Sequence, residues 1–119
     1  MHSKYNSSLQ IISEYKKHLW GLVDNNWTKD IDCFLEFIIE NLYDESLTVA
    51  DARKACYIKS KSFTSKFSLF VGTTPKKFIL EHRVKAGKIL LKETDLTISQ
   101  IAILIGFSSH SAFSKAFTK

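Results

Sequence analysis

The sequence has few of the residues that interrupt or cross-link a small protein: one proline, four glycines and two cysteines among 119 residues. So few turn-forming residues favour a mostly helical chain. No apolar run approaches the ~20 residues that a membrane span requires. The first residues also lack the apolar segment of a signal peptide. We therefore expect an all-α protein that resides in the cytoplasm and has no membrane partner.

The residue types that build metal and catalytic sites are scattered along the chain. Cys33 and Cys56 form no CxxC motif, and we expect plain thiols there rather than a disulfide or metal ligands. No paired carboxylates, nucleophile elbow or phosphate loop is present. The sequence thus predicts that the protein is not an enzyme and that it has no catalytic residues, metal or cofactor. The four histidines also lack a ligand spacing: His2, His18, His82 and His110.

Charge is distributed unevenly. Residues 1–45 contain four Lys and eight Asp or Glu, a net charge of −4. Residues 46–119 contain thirteen Lys or Arg and four Asp or Glu, a net charge of +9. A basic second part indicates a polyanionic partner, most simply nucleic acid. A solvated basic surface is the alternative.

Residues 97–119 predict two short helices joined by a tight turn. Thr97 and Gln100 have the spacing of a capping box, and Gly106 permits the left-handed backbone of the turn. Ser108 or Ser109 is expected to cap the second helix. A small residue four positions before a turn glycine is typical of a helix-turn-helix motif. The apolar side chains expected to face inward are Ile101, Ala102, Ile105, Phe113 and Phe117.

An earlier segment repeats this pattern. Residues 47–51 resemble residues 96–100, and Phe63 and Phe67 match Phe113 and Phe117 at an offset of 50. Between the two units, Pro75 begins a helix of roughly 17 residues, about 25 Å long, that could join them and set their spacing. Apolar positions from Ile31 to Leu42 predict a further helix.

Before these units, an amphipathic helix is expected at residues 8–22, with Leu9, Ile12, Leu19 and Leu22 near one face. Asp24, Asn25 and Asn26 are expected to end it. We divide the chain into an N-terminal helical extension or linker (1–30) and a double helix-turn-helix domain (31–119). A dimerising arm, the tail of a sensor domain and a native start all suit residues 1–30.

Residues 47–119 resemble the DNA-binding domain of AraC/XylS-family transcription regulators. The strongest match is the second unit, with Ile101-Ala102, Gly106-Phe107-Ser108, Phe113-Ser114 and Phe117. Residues 72–78 match as well, followed by Arg83, Ala86, Leu90-Leu91 and Thr94. The resemblance implies an all-α fold, two helix-turn-helix units on a long central helix, and double-stranded DNA as the partner.

The first unit departs from the family pattern. Arg53 stands where a small residue is expected, Tyr57 replaces the turn glycine, and Lys59 replaces the capping serine. We expect Ala55 to supply the small residue and Ser60 the cap, in a unit that is distorted or contacts DNA weakly. The family pattern also continues past Lys119, which suggests a fragment or an untypical member. Because residues 1–30 are too few for a sensor domain, no small-molecule effector is expected within this chain.

The recognition helices are expected near residues 60–70 and 109–119, each with its phenylalanines inside and its polar face outside. None of the outward residues is Arg, Asn or Gln, so direct discrimination should be modest and shape readout should contribute. The base-contact candidates are Ser60, Lys61, Thr64, Ser65, Ser68, His110, Ser111, Ser114 and Lys115. The phosphate-contact candidates are Lys59, Lys66, Lys76, Lys77, Arg83 and Thr118. Arg83 could instead pair with Glu81 or Asp95.

These patterns favour a sequence-specific transcription regulator that binds duplex DNA with its recognition helices in successive major grooves ~34 Å apart. The sequence leaves the oligomeric state open, and a monomer on DNA suits it. RNA polymerase is a further expected partner, and both activation and repression suit the sequence. The alternative is a protein-interaction module or regulator fragment that has lost DNA readout. An enzyme has little support, since neither cysteine has the partners of a reactive thiol.

Overall fold

The computed structural model describes residues 4–23 and 28–117, with the backbone alone at 4–6, 110 and 117. These residues form seven helices and no strand, which confirms the all-α prediction. Within the same ranges, no helix is long and apolar enough to cross a membrane. The helices are α1 (Lys4–Trp20), α2 (Lys29–Glu40), α3 (Val49–Ala55), α4 (Phe63–Val71), α5 (Pro75–Glu93), α6 (Ile98–Leu104) and α7 (His110–Phe117).

The long helix α5 carries both helix-turn-helix units, as predicted. Thr74 caps its start by accepting a hydrogen bond from the Lys77 backbone N–H, and Pro75 occupies the first turn. Near this end, Phe78 and Ile79 join a first core built on α2, α3 and α4. Further along, Ala86 and Leu90 join a second core built on α6 and α7. The two units therefore share one rigid element.

Helix α1 packs against α5 and α2 and contributes to both cores. Its Leu19 lies in the first core and its Ile12 in the second. The Tyr43 hydroxyl donates to the Ile12 carbonyl at 2.7 Å, which joins the end of α2 to α1. The sequence predicted Leu9 and Leu22 near the apolar face of this helix. That prediction is wrong, because both side chains are exposed. Leu22 lies beyond the end of α1 at Trp20.

The boundary predicted between residues 30 and 31 falls in the first turn of α2, which begins at Lys29. The expected helix-ending residues Asp24 to Asn26 lie outside the described part of the chain. Helix α2 itself is strongly amphipathic, as predicted. Its buried residues are Ile31, Phe34, Leu35, Ile38 and Ile39.

The expectation of two plain thiols is wrong, because Cys33 and Cys56 form a disulfide. Cys33 lies on α2 and Cys56 caps the C-terminus of α3. These two helices pack side by side and bring the two Cα atoms to 6.0 Å, a separation that a disulfide spans. A sequence separation of 23 residues gives no sign of this packing.

Candidate nucleic-acid interface

The second unit is built as the sequence predicts. Thr97 accepts a hydrogen bond from the Gln100 N–H at 3.1 Å, and the Gln100 side chain accepts from the Thr97 N–H at 2.9 Å, which completes a capping box. Gly106 has a φ of 100° and turns the chain after α6. Ser109, rather than Ser108, caps α7 by accepting from the Ala112 N–H at 3.1 Å. Phe113 is buried, whereas the side chain of Phe117 lies outside the described residues.

The first unit forms the same turn without glycine. Tyr57 adopts a φ of 56°, the left-handed conformation that Gly106 has in the second unit. The hydrogen bonds also correspond: Ile58 N–H donates to the Arg53 carbonyl, and Phe107 N–H donates to the Ala102 carbonyl, each at 2.9 Å. The expected distortion is therefore limited to an unfavourable φ at one exposed residue.

Arg53 holds this turn against helix α4. Its guanidinium donates to the Ser60 carbonyl at 2.6 Å and lies over the Phe63 ring, 5.6 Å from the ring centroid. The expectation that Ala55 would be the small packing residue is wrong, since Ala55 is exposed and the buried alanine is Ala52. Ala52 lies inside the core of the first unit.

Ser60 stabilises the approach to α4 instead of capping that helix. Its hydroxyl accepts from the Ser62 N–H at 3.2 Å and shares a hydrogen bond with the Ser62 hydroxyl at 2.9 Å. Ser62 occupies the N-cap position without a capping hydrogen bond from its side chain. The prediction that Ser60 caps α4 is therefore wrong. Ser60 instead forms hydrogen bonds with Ser62 in the turn before the helix.

Helix α4 buries Phe63 and Phe67, as predicted, and turns a small polar face outward. Thr64 and Ser65 are exposed along this face, and Lys61 is exposed in the turn just before the helix begins. Ser68 is half-buried, and its hydroxyl donates to the Thr64 carbonyl at 2.9 Å. Ser68 is therefore less available to a base than the sequence suggests.

Helix α7 turns Ser111 and Lys115 to solvent and keeps Ser114 half-buried. Two candidates on this side cannot be placed, because Thr118 and the side chain of His110 lie outside the described residues. Helix α4 thus presents small hydroxyl side chains close to Lys61, which lies two residues before the helix begins, and α7 presents them beside Lys115.

Three of the phosphate-contact candidates are exposed. Lys59 follows the turn of the first unit, and Lys76 and Lys77 lie in the first turn of α5. A helix N-terminus offers backbone N–H groups and a partial positive charge, which suits a phosphate oxygen. Lysines in this position add to that attraction without selecting a sequence.

Lys66 is engaged within the protein. Its ammonium group lies 3.0 and 2.9 Å from the two carboxylate oxygens of Asp30, at the start of α2. Asp30 also accepts from the Thr28 hydroxyl and from the Ile31 N–H. Burial opposes ionisation of this carboxyl, but the hydrogen bonds from Thr28, Lys66 and Ile31 outweigh it and lower the pKa of Asp30. The ion pair of Lys66 with Asp30 therefore joins α4 to α2 within the protein itself.

Arg83 is wrong as a phosphate contact, because it is 7% exposed. Its Nε donates to the Leu42 carbonyl at 2.7 Å, and a terminal nitrogen donates to the Asp44 carbonyl at 2.8 Å. Both hydrogen bonds reach backbone carbonyls, rather than the carboxylates of Glu81 or Asp95 that the sequence suggested as partners. The guanidinium thus holds the segment after α2 against α5.

The predicted contacts omit two exposed apolar residues of α4, Leu69 and Phe70, and Leu69 is the more exposed. Leu69 is 82% exposed and follows Ser65 by four residues, so both lie on the outward face of the helix. The same helical spacing in the sequence would have identified it, because Leu69 is out of phase with Phe63 and Phe67.

Known families support this architecture. A family described as a helix-turn-helix domain matches residues 38–119. The chain belongs to the AraC/XylS family. It is thus a DNA-binding domain of the transcription-regulator type, as its sequence predicts.

Similar proteins include regulators from several bacteria. The probable transcriptional regulator LumQ of Photobacterium leiognathi is 33% identical over 81 residues, which is 68% of this chain and 33% of LumQ. The melibiose operon regulatory protein of Escherichia coli is 34% identical over 85 residues, 71% of this chain and 28% of that protein. The chain therefore spans about a third or less of these two relatives.

A solved structure supports the fold. The C-terminal domain of the response regulator yesN from Fusobacterium nucleatum superposes with a TM-score of 0.70, covering 76% of this chain and 94% of that domain. Its sequence identity of 22% makes this a likeness of fold alone.

Proposed function

We propose that this domain regulates transcription by binding one face of a DNA duplex, with α4 and α7 in successive major grooves. The single observation that carries this proposal is the pairing of two helix-turn-helix units on one helix, α5, each with its aromatic face buried and its polar face exposed. Burial of Phe63 and Phe67 in one unit and of Phe113 in the other fixes which faces remain for DNA.

The length of α5 suits this arrangement. Its 19 residues extend about 28 Å at 1.5 Å per residue. The molecule measures 46 Å along its longest axis, which accommodates two recognition helices ~34 Å apart, one turn of B-form DNA. Because α5 enters both cores, the spacing is rigid, and the DNA is expected to bend to meet it.

The two recognition faces differ, so a single chain would recognise an asymmetric site. Lys61 and Lys115 are the donors expected to contact guanine, and Thr64, Ser65 and Ser111 are adaptable hydrogen-bonding partners. Lys59, Lys76 and Lys77 would contact phosphates. Binding as a monomer and contact with RNA polymerase are part of the proposal, and no small-molecule effector is required within this chain.

Lysine substitutions separate base contacts from general attraction. Lys61→Ala and Lys115→Ala should each weaken binding to a selected duplex by about tenfold and relax the preference at one position of the site. Lys77→Ala should weaken binding to all duplexes alike and reduce the slope of log affinity against log salt by about 0.9. Fluorescence anisotropy over a range of salt concentrations measures both quantities.

Lys17→Ala is the matched control, because it removes one exposed charge from α1, outside both units. It should leave sequence preference unchanged. If Lys61→Ala and Lys115→Ala behave like this control on every duplex, the proposed recognition faces are wrong. Little DNA affinity at physiological salt, together with a tight protein complex, would favour the interaction-module alternative.

A further inference from the structure

Leu69 presents an apolar surface on the outward face of α4, next to the polar residues Thr64 and Ser65. The side chain is 82% exposed, although α4 buries Phe63 and Phe67 on its other face. Leu69 lies one helical turn after Ser65, so the two side chains project from the same face. A single exposed leucine on a protein surface requires no explanation by itself. Its position on the face proposed to enter the DNA groove is what distinguishes this one.

The polar residues on this face can make few base contacts. Ser68 donates its hydroxyl to the Thr64 carbonyl, and Lys66 is held by Asp30. Lys61, Thr64 and Ser65 remain: Lys61 can donate to guanine, whereas Thr64 and Ser65 offer only adaptable hydroxyl groups. Apolar contacts are therefore expected to contribute substantially to the recognition of base edges by α4.

The major groove has one apolar group at its edges, the C5-methyl group of thymine. We propose that Leu69 packs against a thymine methyl and gives the half-site bound by α4 a preference for thymine. This inference rests on the proposed entry of α4 into the major groove. Contact with the methyl group would remove part of an exposed leucine side chain from water, which favours the complex.

Deoxyuridine tests the contact, because it differs from thymidine only by lacking the methyl group. The probe is the duplex that the wild-type chain enriches from a random pool, with each dT in turn replaced by dU. We expect one replacement, in the α4 half-site, to weaken wild-type binding about fourfold, the equivalent of one buried methyl group. Leu69→Ala should bind the dT duplex more weakly and show no further loss at that dU.

Ile103→Ala is the matched control, since Ile103 is 69% exposed but lies on α6, outside the recognition helices. It should retain the wild-type loss at that dU. The proposal is overturned if no dU replacement in the α4 half-site weakens wild-type binding, or if Leu69→Ala keeps the full loss. If the wild-type chain enriches a duplex but either of these two contradicting results is obtained, the Leu69 contact is wrong and the proposed function still stands. Failure to enrich any duplex would overturn the proposed function and this contact together.

Discussion

A β-carbon on residue 106 would lie 2.8 Å from Nε of Arg83, so the turn of the second unit meets α5 at a point where only glycine fits. The same Nε donates to the Leu42 carbonyl at the end of α2. One buried guanidinium thus contacts the segment after α2 and the turn of the second unit. Together with the shared helix α5, this guanidinium joins the two units.

Gly106→Ala should lower the free energy of unfolding by about 3 kcal/mol. About 1 to 2 kcal/mol arises from placing a β-carbon in the left-handed region, and the remainder from crowding against Arg83. Gly72→Ala is the control, because Gly72 has a φ of 92° but open space where a β-carbon would lie. Gly72→Ala should therefore lose only the stability that arises from placing a β-carbon in the left-handed region, as measured by urea unfolding. Equal losses for the two variants would contradict the crowding by Arg83.

Arg83→Met should destabilise the fold by about 3 kcal/mol, because it leaves the Leu42 and Asp44 carbonyls without their donor. The slope of log DNA affinity against log salt should stay at the wild-type value under conditions where the variant is folded. Lys77→Ala provides the comparison, since that slope should fall by about 0.9. A reduced slope with unchanged stability would return Arg83 to the phosphate contacts.

Stability should fall as the pH is lowered from about 6.5 to 4. Burial lowers the pKa of His82 to about 4, with Glu81 opposing the shift and Lys85 and His18 adding to it. Since unfolded histidine titrates near 6.5, the unfolded chain binds more protons throughout this interval, and protonation favours unfolding. The expected loss is at most about 3 kcal/mol.

His82→Gln should flatten this pH dependence, measured by urea unfolding at several pH values. Nδ1 of His82 and the Tyr15 hydroxyl share a hydrogen bond at 2.7 Å, and the glutamine amide can take either role in such a bond. His18→Gln is the comparison, because it removes an exposed histidine that is the smallest of the named causes of the His82 pKa shift. If the two variants show the same slope between pH 4 and 6.5, burial of His82 is not the cause.

Reduction of the Cys33–Cys56 disulfide should cost about 3 kcal/mol of stability, because it releases a loop spanned by a sequence separation of 23 residues. Unfolding with and without dithiothreitol measures this change, and the Cys33→Ser, Cys56→Ser double variant should show no response to the reductant. Alkylation before reduction should label neither cysteine of the purified chain. Labelling of both would show that the bond is absent.

Local patterns predicted much of the fold. The capping box of Thr97 and Gln100, the turn at Gly106 and the buried Phe63, Phe67 and Phe113 all involve residues within one or two helical turns of each other. Such neighbours interact wherever the helix forms, so their spacing in the sequence carries the information. The start of α5 at Pro75 belongs to the same group.

Other features of the fold depend on pairs that are distant in sequence. Arg83 meets Leu42, Lys66 meets Asp30, and Cys33 meets Cys56 only because α2 packs against the first unit and α5. No periodicity identifies such partners, since each depends on how helices are placed in space. For this reason a conspicuous arginine and lysine in a basic segment resembled DNA contacts although both are engaged within the protein.

Selection from a random duplex pool at physiological salt, followed by sequencing of the bound fraction, would show directly whether α4 and α7 contact DNA simultaneously. Two units with separate recognition helices on the rigid helix α5 should enrich a site with two dissimilar blocks whose centres lie about one helical turn, roughly 10 base pairs, apart. Enrichment of a single block, or of two blocks at variable spacing, would contradict simultaneous contact by α4 and α7.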